Sequence, residues 1–273
     1  MSWRFLCLVC CAVFVCLPLK ASEKSKQSSI LNNQSTLLLD RLVAAYPDFL
    51  RGHDGTSVIW HDGSTMLFED GKPRKSFEQR LQAPDLQDQF FAPYHKGDKG
   101  LSPAKNQDPG RVRYQPFFNK MYGDCRKRQV HGQLQTIVWL PRHGGKKIKV
   151  TSINGVADKL QKISHELDVL IDKKPGMKKF LSPMSGIYNC RLIAGTRRYS
   201  VHAYGAAIDI NVKQAHYWRW SKPGKGGLYR WRNKIPLEIV RIFERHGFIW
   251  GGKWYHYDTM HFEYRPELLS GAQ

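Results

Sequence analysis

The sequence has few acidic residues and no long apolar run beyond its N-terminus. It contains 23 Asp and Glu against 43 Lys and Arg in 273 residues, a formal charge of +20. Without an apolar stretch long enough to cross a bilayer, we expect no membrane span after the N-terminal segment. The sequence has no internal repeat and no low-complexity tract, and its eight Trp and twelve Tyr argue against a disordered chain. With 41% hydrophobic residues, the chain can bury a large core.

The first 21 residues are typical of a secretory signal peptide. Arg4 supplies the positive start, an apolar run follows, and cleavage is predicted near Ala21. An uncleaved membrane anchor and a lipoprotein attached through Cys16 are the alternatives. We therefore expect an exported protein, periplasmic or secreted, that begins with a flexible leader at 22–35.

Two cysteines remain after the predicted signal. Cys125 and Cys190 belong to a chain that we expect to meet an oxidising compartment, where thiols pair. We predict a disulfide between them, and two buried free thiols are the alternative.

The exported chain keeps a strong positive charge. Removing Arg4 and Lys20 with the signal leaves +18, which predicts an acidic partner. Outside the cell membrane the anionic polymers to consider are peptidoglycan, teichoic acids and lipopolysaccharide. No nucleic-acid-binding motif is present, so nucleic acid is not an expected partner. A generally basic, solvated surface is the alternative.

Periodicity predicts helices and strand pairs along the chain. Helices are expected at 36–45, 156–171 and 236–246, and strand pairs at 56–60 with 64–68 and at 135–140 with 146–151. Residues 92–112 are rich in Pro, Gly, Asp and Lys, which predicts a long loop. We divide the chain into an N-terminal region, 36–149, packed on a C-terminal domain, 150–273.

The segment 200–210, SVHAYGAAIDI, brings two metal-binding residue types close together. Its second half alternates like a strand, with Asp209 on the face opposite the neighbouring isoleucines. A carboxylate in an apolar strand must be paired, hydrogen-bonded or bound to a metal. His202 can share a metal with Asp209 only if the chain bends between them, and Gly205 permits such a bend.

The segment 254–263, WYHYDTMHFE, can complete the site. Alternation predicts that Met260 and Phe262 face the core, while His261 and Glu263 face outward. Two imidazoles and one carboxylate leave a fourth position open for water. That is the arrangement of catalytic zinc, whereas structural zinc has four protein ligands.

These two segments resemble the motifs of a peptidase family. SVHAYGAAID resembles the SxHxxGxAxD motif of the VanX/VanY-like zinc D-Ala-D-Ala carboxypeptidases and L-Ala-D-Glu endopeptidases. DTMHFE resembles their second motif, an acidic residue three positions before the last histidine ligand. The resemblance covers about 150–269 and implies the Hedgehog/DD-peptidase fold. That fold is α+β, an antiparallel sheet with flanking helices, here with an N-terminal extension that contains β-hairpins.

The resemblance also implies the roles of individual residues. His202, Asp209 and His261 become the ligands of one Zn²⁺ per chain, and Asp258 becomes the general base. Several family members have glutamate at the position of Asp258, while the endopeptidase branch has aspartate. Glu263 is the alternative base, although we expect it to support a metal ligand or form an ion pair.

Three more residues are candidates for substrate binding, and one for support of the site. Arg191 and Arg198 can bind the carboxylates of a peptide stem in bidentate fashion, with ordinary surface charges as the alternative. Ser200 is expected to orient His202 or touch substrate, with a turn serine as the alternative. His256 is expected to support the site or to be a packed histidine.

The sequence therefore predicts a zinc peptidase that cleaves the peptide stem of bacterial peptidoglycan, with D-alanyl-D-alanine carboxypeptidase activity preferred. A peptidoglycan endopeptidase, cutting the DD-crosslink or the L-Ala-D-Glu bond, is one alternative. A non-catalytic cell-wall binding protein of the same fold is another. The basic, aromatic segment 216–232 predicts a polymeric substrate over a free dipeptide. The oligomeric state is not indicated.

Overall fold

The computed structural model describes residues 33–72 and 74–269. The predicted signal peptide, its cleavage near Ala21 and the first part of the predicted leader lie outside the described residues. Within the described ranges, no helix combines the length and the apolar character that a membrane crossing requires.

A helix and a three-stranded sheet begin the described chain. Residues 33–45 form helix α1, which confirms the predicted helix. The sheet contains β1 (Leu50–His53), β2 (Ser57–Trp60) and β3 (Thr65–Leu67), in that order. The predicted hairpin is confirmed, because β2 and β3 pair antiparallel around Gly63, whose φ of 82° suits glycine. Strand β1 was not predicted, since its sequence LRGH has no apolar alternation.

Two short helices follow this sheet. Helix α2 (Phe77–Gln82) begins at a capping box formed by Ser76 and Gln79. Helix α3 (Gln115–Tyr122) buries one aromatic face. The loop predicted at 92–112 is confirmed, because this range contains no helix or strand.

A second hairpin packs against the longest helix. Strands β4 (Leu134–Trp139) and β5 (Lys146–Thr151) pair antiparallel and both contact α4 (Val156–Lys173). The predicted strand pair and the predicted helix are both confirmed. The boundary that we placed after residue 149 falls inside β5.

The two segments that carry the predicted ligands meet in a third sheet. The remaining elements are α5 (Lys178–Leu181), β6 (Ala207–Asp209), α6 (Leu237–Arg245), β7 (Phe248–Trp250), β8 (His261–Tyr264) and α7 (Pro266–Leu269). Strands β6, β8 and β7 form an antiparallel sheet in that order, and Asp209 lies opposite His261. Helix α6 confirms the predicted helix and follows Pro236.

One apolar core joins the N-terminal region to the rest of the chain. It extends from Leu39 in α1 through Phe117 in α3 to Phe262 in β8. Over the described residues the architecture is α+β, as predicted, with three small antiparallel sheets and flanking helices.

The expectation that β8 has an outward face is wrong. His261 and Glu263 are both buried, and Glu263 is completely so. The loop around Gly110 covers this face: the Gly110 carbonyl accepts a hydrogen bond from Arg265 at 2.7 Å. A Cβ at Gly110 would lie only 2.3 Å from Cδ1 of Ile249 in β7. Alternation in one strand cannot reveal a distant loop that covers its polar face.

Candidate metal centre and active-site cleft

Two local features position the predicted ligands. His202 lies in the 3-10 turn Val201–Tyr204, and Gly205 follows with a φ of 70°. This left-handed glycine turns the chain into β6, which ends at Asp209. The predicted bend is therefore confirmed, and it brings both side chains beside His261 at the start of β8.

Three candidate ligand atoms converge at distances that suit a metal ion. Nε2 of His202 lies 3.3 Å from Nδ1 of His261 and 3.2 Å from Oδ2 of Asp209. Nδ1 of His261 lies 2.9 Å from Oδ1 of Asp209. Ligand atoms at about 2.0–2.2 Å from a tetrahedral zinc ion lie about 3.3–3.6 Å from one another. Two separations are close to this range, and the third is shorter.

Hydrogen bonds behind each ring determine which nitrogen faces the centre. Nδ1 of His202 lies 2.7 Å from the carbonyl oxygen of Ile187, which can only accept, so this nitrogen carries the proton. Nε2 of His261 lies 2.9 Å from a carboxylate oxygen of Glu263, which requires a proton there too. Neutral rings therefore direct two lone pairs and the Asp209 carboxylate at one point. Only a cation or an added proton stabilises that arrangement, so the donor set fits a metal ion.

The pKa values of His261 and Asp209 also indicate that positive charge stabilises this arrangement. Burial disfavours the charged form of His261, yet the carboxylates of Asp209 and Glu263 raise its pKa to about 10. Burial also opposes ionisation of Asp209, but the neighbouring His202 and His261 hold its pKa well below the usual range. A divalent cation would supply this charge with both histidines neutral, and its binding would release the proton.

Ion pairs hold the carboxylate behind His261. Arg113 forms an ion pair with Glu263, and Nη1 of Arg265 lies 3.2 Å from the other carboxylate oxygen. Glu263 thus contacts the nitrogen of His261 that points away from the other two ligands. It occupies the place of a carboxylate that orients a metal-binding histidine.

These ion pairs continue to the N-terminal region. Nε of Arg265 donates to Glu267 at 2.5 Å, and the Tyr46 hydroxyl donates to the same carboxylate at 2.6 Å. Tyr46 follows α1 and is completely buried, as are Arg265 and Glu267. A buried polar chain therefore connects residues near α1 with the candidate metal centre.

Asp258 lies in the same cleft as the three ligands. Its backbone N–H donates to the Gly251 carbonyl at 3.0 Å, and a Cβ at Gly251 would lie 2.7 Å from the Asp258 carbonyl. The tight approach therefore requires glycine. Within the described chain, Oδ1 of Asp258 is buried without a hydrogen-bond partner. Burial, together with the charge of Asp209, raises the pKa of Asp258 to about 6.

The cleft has basic and aromatic walls and a cavity volume of about 100 Å³. Besides the ligands and Asp258, it is lined by Arg111, Arg113, Arg191, Ile193, Ser200, Tyr217 and Trp254. Arg191 and Ser200 were predicted, whereas the sequence did not single out Arg111, Arg113 or Tyr217. The only available signal for Arg111 was its position near the end of the Pro/Gly-rich loop 92–112, since loops commonly carry binding residues, and Arg113 lies just after that loop.

Residues 194–264 match a family model described as D-alanyl-D-alanine carboxypeptidase (Peptidase_M15_4). The predicted peptidase family is confirmed for this segment. The match includes both ligand-bearing segments and Asp258, and it excludes Arg111, Arg113 and Arg191. No curated protein and no solved structure matches the chain.

Of the other predicted site residues, Ser200 lines the cleft, whereas Arg198 and His256 do not. Arg198 lines a small adjoining pocket with Arg113 instead of the cleft, and its Nε is buried with no partner in the described ranges. Burial, followed by the charges of Arg113 and Arg111, lowers the pKa of Arg198 to about 10. Ser200 does not hold His202, whose Nδ1 contacts the Ile187 carbonyl.

His256 has the surroundings of a packed histidine. Its Nδ1 lies 2.5 Å from a carboxylate oxygen of buried Asp108. Its ring stacks on Phe77 at 5.7 Å and meets the edge of Trp218 at 4.7 Å. None of these three partners of His256 lines the cleft.

Cys125 and Cys190 form the predicted disulfide, with Cα atoms 5.7 Å apart. The bond joins the turn after α3 to the residue directly before Arg191. The segment between Arg191 and the first histidine ligand is therefore attached to the N-terminal region.

Proposed function

We propose that the protein is a zinc-dependent peptidase that cleaves the peptide stem of bacterial peptidoglycan, acting mainly as a D-alanyl-D-alanine carboxypeptidase. The convergence of His202, Asp209 and His261 beside Asp258 carries the proposal. The family match at 194–264 supports it. We also propose one Zn²⁺ per chain and a Hedgehog/DD-peptidase-type fold for 150–269, supported by the β6-β8-β7 sheet with its helices.

The three ligands and Glu263 form the metal centre in this proposal. When bound, zinc polarises the scissile carbonyl and lowers the pKa of a coordinated water. Glu263 holds His261 in the tautomer that presents Nδ1 to the centre. Because Glu263 contacts the opposite nitrogen and is fully buried, it is badly placed to act as a base in the cleft.

Asp258 is the general base in this proposal. Its carboxylate lines the cleft and has an unpartnered Oδ1 within the described chain, which can accept a proton from the attacking nucleophile. The same group can then give that proton to the leaving amine. A pKa raised to about 6 suits both steps near neutral pH.

The basic wall of the cleft suits the free carboxylates of a stem peptide. Arg191 and Arg111 line the cleft, and neither forms an ion pair with a carboxylate in the part of the chain that is described. Arg111 is fixed between the rings of Trp218 and Trp254. A guanidinium held in this way can bind a terminal carboxylate in bidentate fashion.

We further propose export to the periplasm or the extracellular space. The Cys125–Cys190 disulfide supports this location, because disulfides persist in oxidising compartments. Peptidoglycan lies in the same compartments.

Mass spectrometry of purified muropeptides, incubated with the zinc-loaded protein, tests the activity. We expect pentapeptides to lose one alanine, and the Asp258→Asn variant to bind zinc but to release alanine far more slowly. Conversion of crosslinked dimers to monomers would instead indicate an endopeptidase. Hydrolysis of free D-Ala-D-Ala with every muropeptide untouched would overturn the proposed substrate. Full zinc occupancy without any hydrolysis would indicate a binding protein.

A further inference from the structure

A second groove lies next to the catalytic cleft. It is lined by residues of the segment 216–234 and has a cavity volume of about 770 Å³. Four cations and two tryptophans contribute to its walls: Lys222, Arg230, Arg232, Lys234, Trp220 and Trp231. All four cations are exposed, and Trp220 exposes 60% of its surface.

The positive charge of this groove is not neutralised by the protein. The sequence from 210 to 237 contains seven Lys and Arg and no Asp or Glu. None of the four groove cations takes part in an ion pair with the described carboxylates, although many other cations of the chain do. Burial, and then the charges of Arg232 and Lys234, lower the pKa of His216 at the groove. Exposed guanidinium and ammonium groups without internal partners suit an anionic ligand.

The groove is joined to the cleft through the loop that carries Asp258. The His216 carbonyl accepts from the N–H of Thr259 at 2.9 Å, and the N–H of Trp218 donates to the Tyr257 carbonyl at 2.9 Å. Nε1 of Trp231 donates to the Gly252 carbonyl at 2.7 Å. Tyr217, within the same segment, lines the cleft. A ligand in the groove would therefore contact a segment that also forms part of the wall of the cleft.

We propose that residues 216–234 form a polymer-binding groove that holds anionic peptidoglycan, with its stem carboxylates on the four cations and a sugar ring on Trp220. This inference rests on the proposed function, because the shared loop suggests one substrate for cleft and groove. An exposed indole offers a flat apolar face to a sugar ring. The arginines bind carboxylates in bidentate fashion. Such a groove favours polymeric over monomeric substrate, because a second contact raises the effective concentration at the cleft.

Binding to insoluble peptidoglycan, freed of phosphate polymers, tests the groove independently of turnover. All proteins carry Asp258→Asn, so that the polymer is not digested. The groove variant adds Lys222→Gln, Arg230→Gln, Arg232→Gln and Lys234→Gln. The matched control adds Lys146→Gln, Lys147→Gln, Lys149→Gln and Lys162→Gln, four exposed cations on β5 and α4. A separate Trp220→Ala variant tests the aromatic contact.

We expect the groove variant to bind about tenfold or more weakly, and the control to bind within about twofold of the parent, at physiological salt. Equal loss in both would show only a general charge effect and overturn the proposal. Retained binding by the groove variant would overturn it as well. Tighter binding of a single-stranded oligonucleotide than of peptidoglycan, lost in the groove variant, would assign the groove to nucleic acid instead. Groove-dependent binding in this assay, together with no muropeptide hydrolysis by the protein that keeps Asp258, would refute the proposed activity alone.

Discussion

At the scale of single residues, the two predicted histidine ligands present different ring nitrogens to the candidate centre. Nε2 of His202 and Nδ1 of His261 are 3.3 Å apart, and each ring is held from behind by a hydrogen bond. His202→Ala and His261→Ala should each reduce zinc from about one ion per chain to near zero, since two donors cannot hold the ion. Metal analysis of the purified variants measures this. His165→Ala, an exposed histidine on α4, is the control, and full zinc in both ligand variants would contradict the assignment.

The two acidic residues near His261 should have separable effects. Asp258→Asn should keep the zinc and lower the rate of muropeptide hydrolysis by about 10²–10⁴-fold, because the proton acceptor is lost. Glu263→Gln should weaken zinc binding by about 10–100-fold, because His261 loses its charged partner. Zinc titration and a rate assay at saturating zinc distinguish the two. If Asp258→Asn stays active while Glu263→Gln binds zinc and is inactive, Glu263 is the base and Asp258 is not.

The sequence could predict only part of the site. The three ligands and Asp258 lie in two short segments whose local pattern is distinctive. Arg113 could not be predicted, because it meets Glu263 across 150 residues of chain. The group that orients His202 is the backbone carbonyl of Ile187. Every residue has such a carbonyl, so the sequence cannot indicate which one contacts the histidine.

At the scale of elements, the disulfide fixes the segment that leads to the first ligand. Cys125 and Cys190 are 65 residues apart in the chain. Replacing both by serine should lower the free energy of unfolding by about 4 kcal/mol, because the unfolded chain gains the freedom of a long loop. Chemical denaturation of the oxidised wild type and the double variant measures the difference. Two free thiols in the denatured, unreduced wild type would show that the bond does not form.

The loop over β7 and β8 depends on one glycine. Gly110→Ala would place a Cβ at 2.3 Å from Ile249 in a backbone with φ of 87°. We expect a loss of about 1–3 kcal/mol in unfolding free energy, from backbone strain and displacement of the Ile249 side chain. Gly144→Ala is the control, because nothing lies within 4 Å of its Cβ position. Equal stability of the two variants would contradict the close packing.

Elements with strong local patterns could be predicted, and those defined by their neighbours could not. Helix α4 and the β4–β5 hairpin were predicted because apolar residues recur at the helical or strand spacing. Strand β1 has little pattern of its own and exists through pairing with β2. The burial of both faces of β8 was missed, because the loop that covers it is far away in sequence.

At the scale of the whole molecule, the predicted N-terminal and catalytic regions share their most buried groups. The core includes α1, α3 and β8. The polar chain from Tyr46 through Glu267 and Arg265 reaches Glu263 without contact with solvent. Separating the two regions would leave charged groups buried without partners or exposed to water, and a broken buried pair costs about 3–5 kcal/mol. The N-terminal region also supplies Arg111 and Arg113 to the cleft.

The polar chain has a calorimetric consequence. This chain connects Tyr46, next to α1, to Glu263, which contacts the predicted ligand His261. The protein should therefore melt in one endotherm, with equal van 't Hoff and calorimetric enthalpies. Chelation of zinc should move that whole endotherm to lower temperature, since the ion binds only the native form. The N-terminal region should therefore lose its heat stability together with the metal, although it contributes none of the three ligands. Two endotherms, of which only one responds to the chelator, would show that the regions unfold independently.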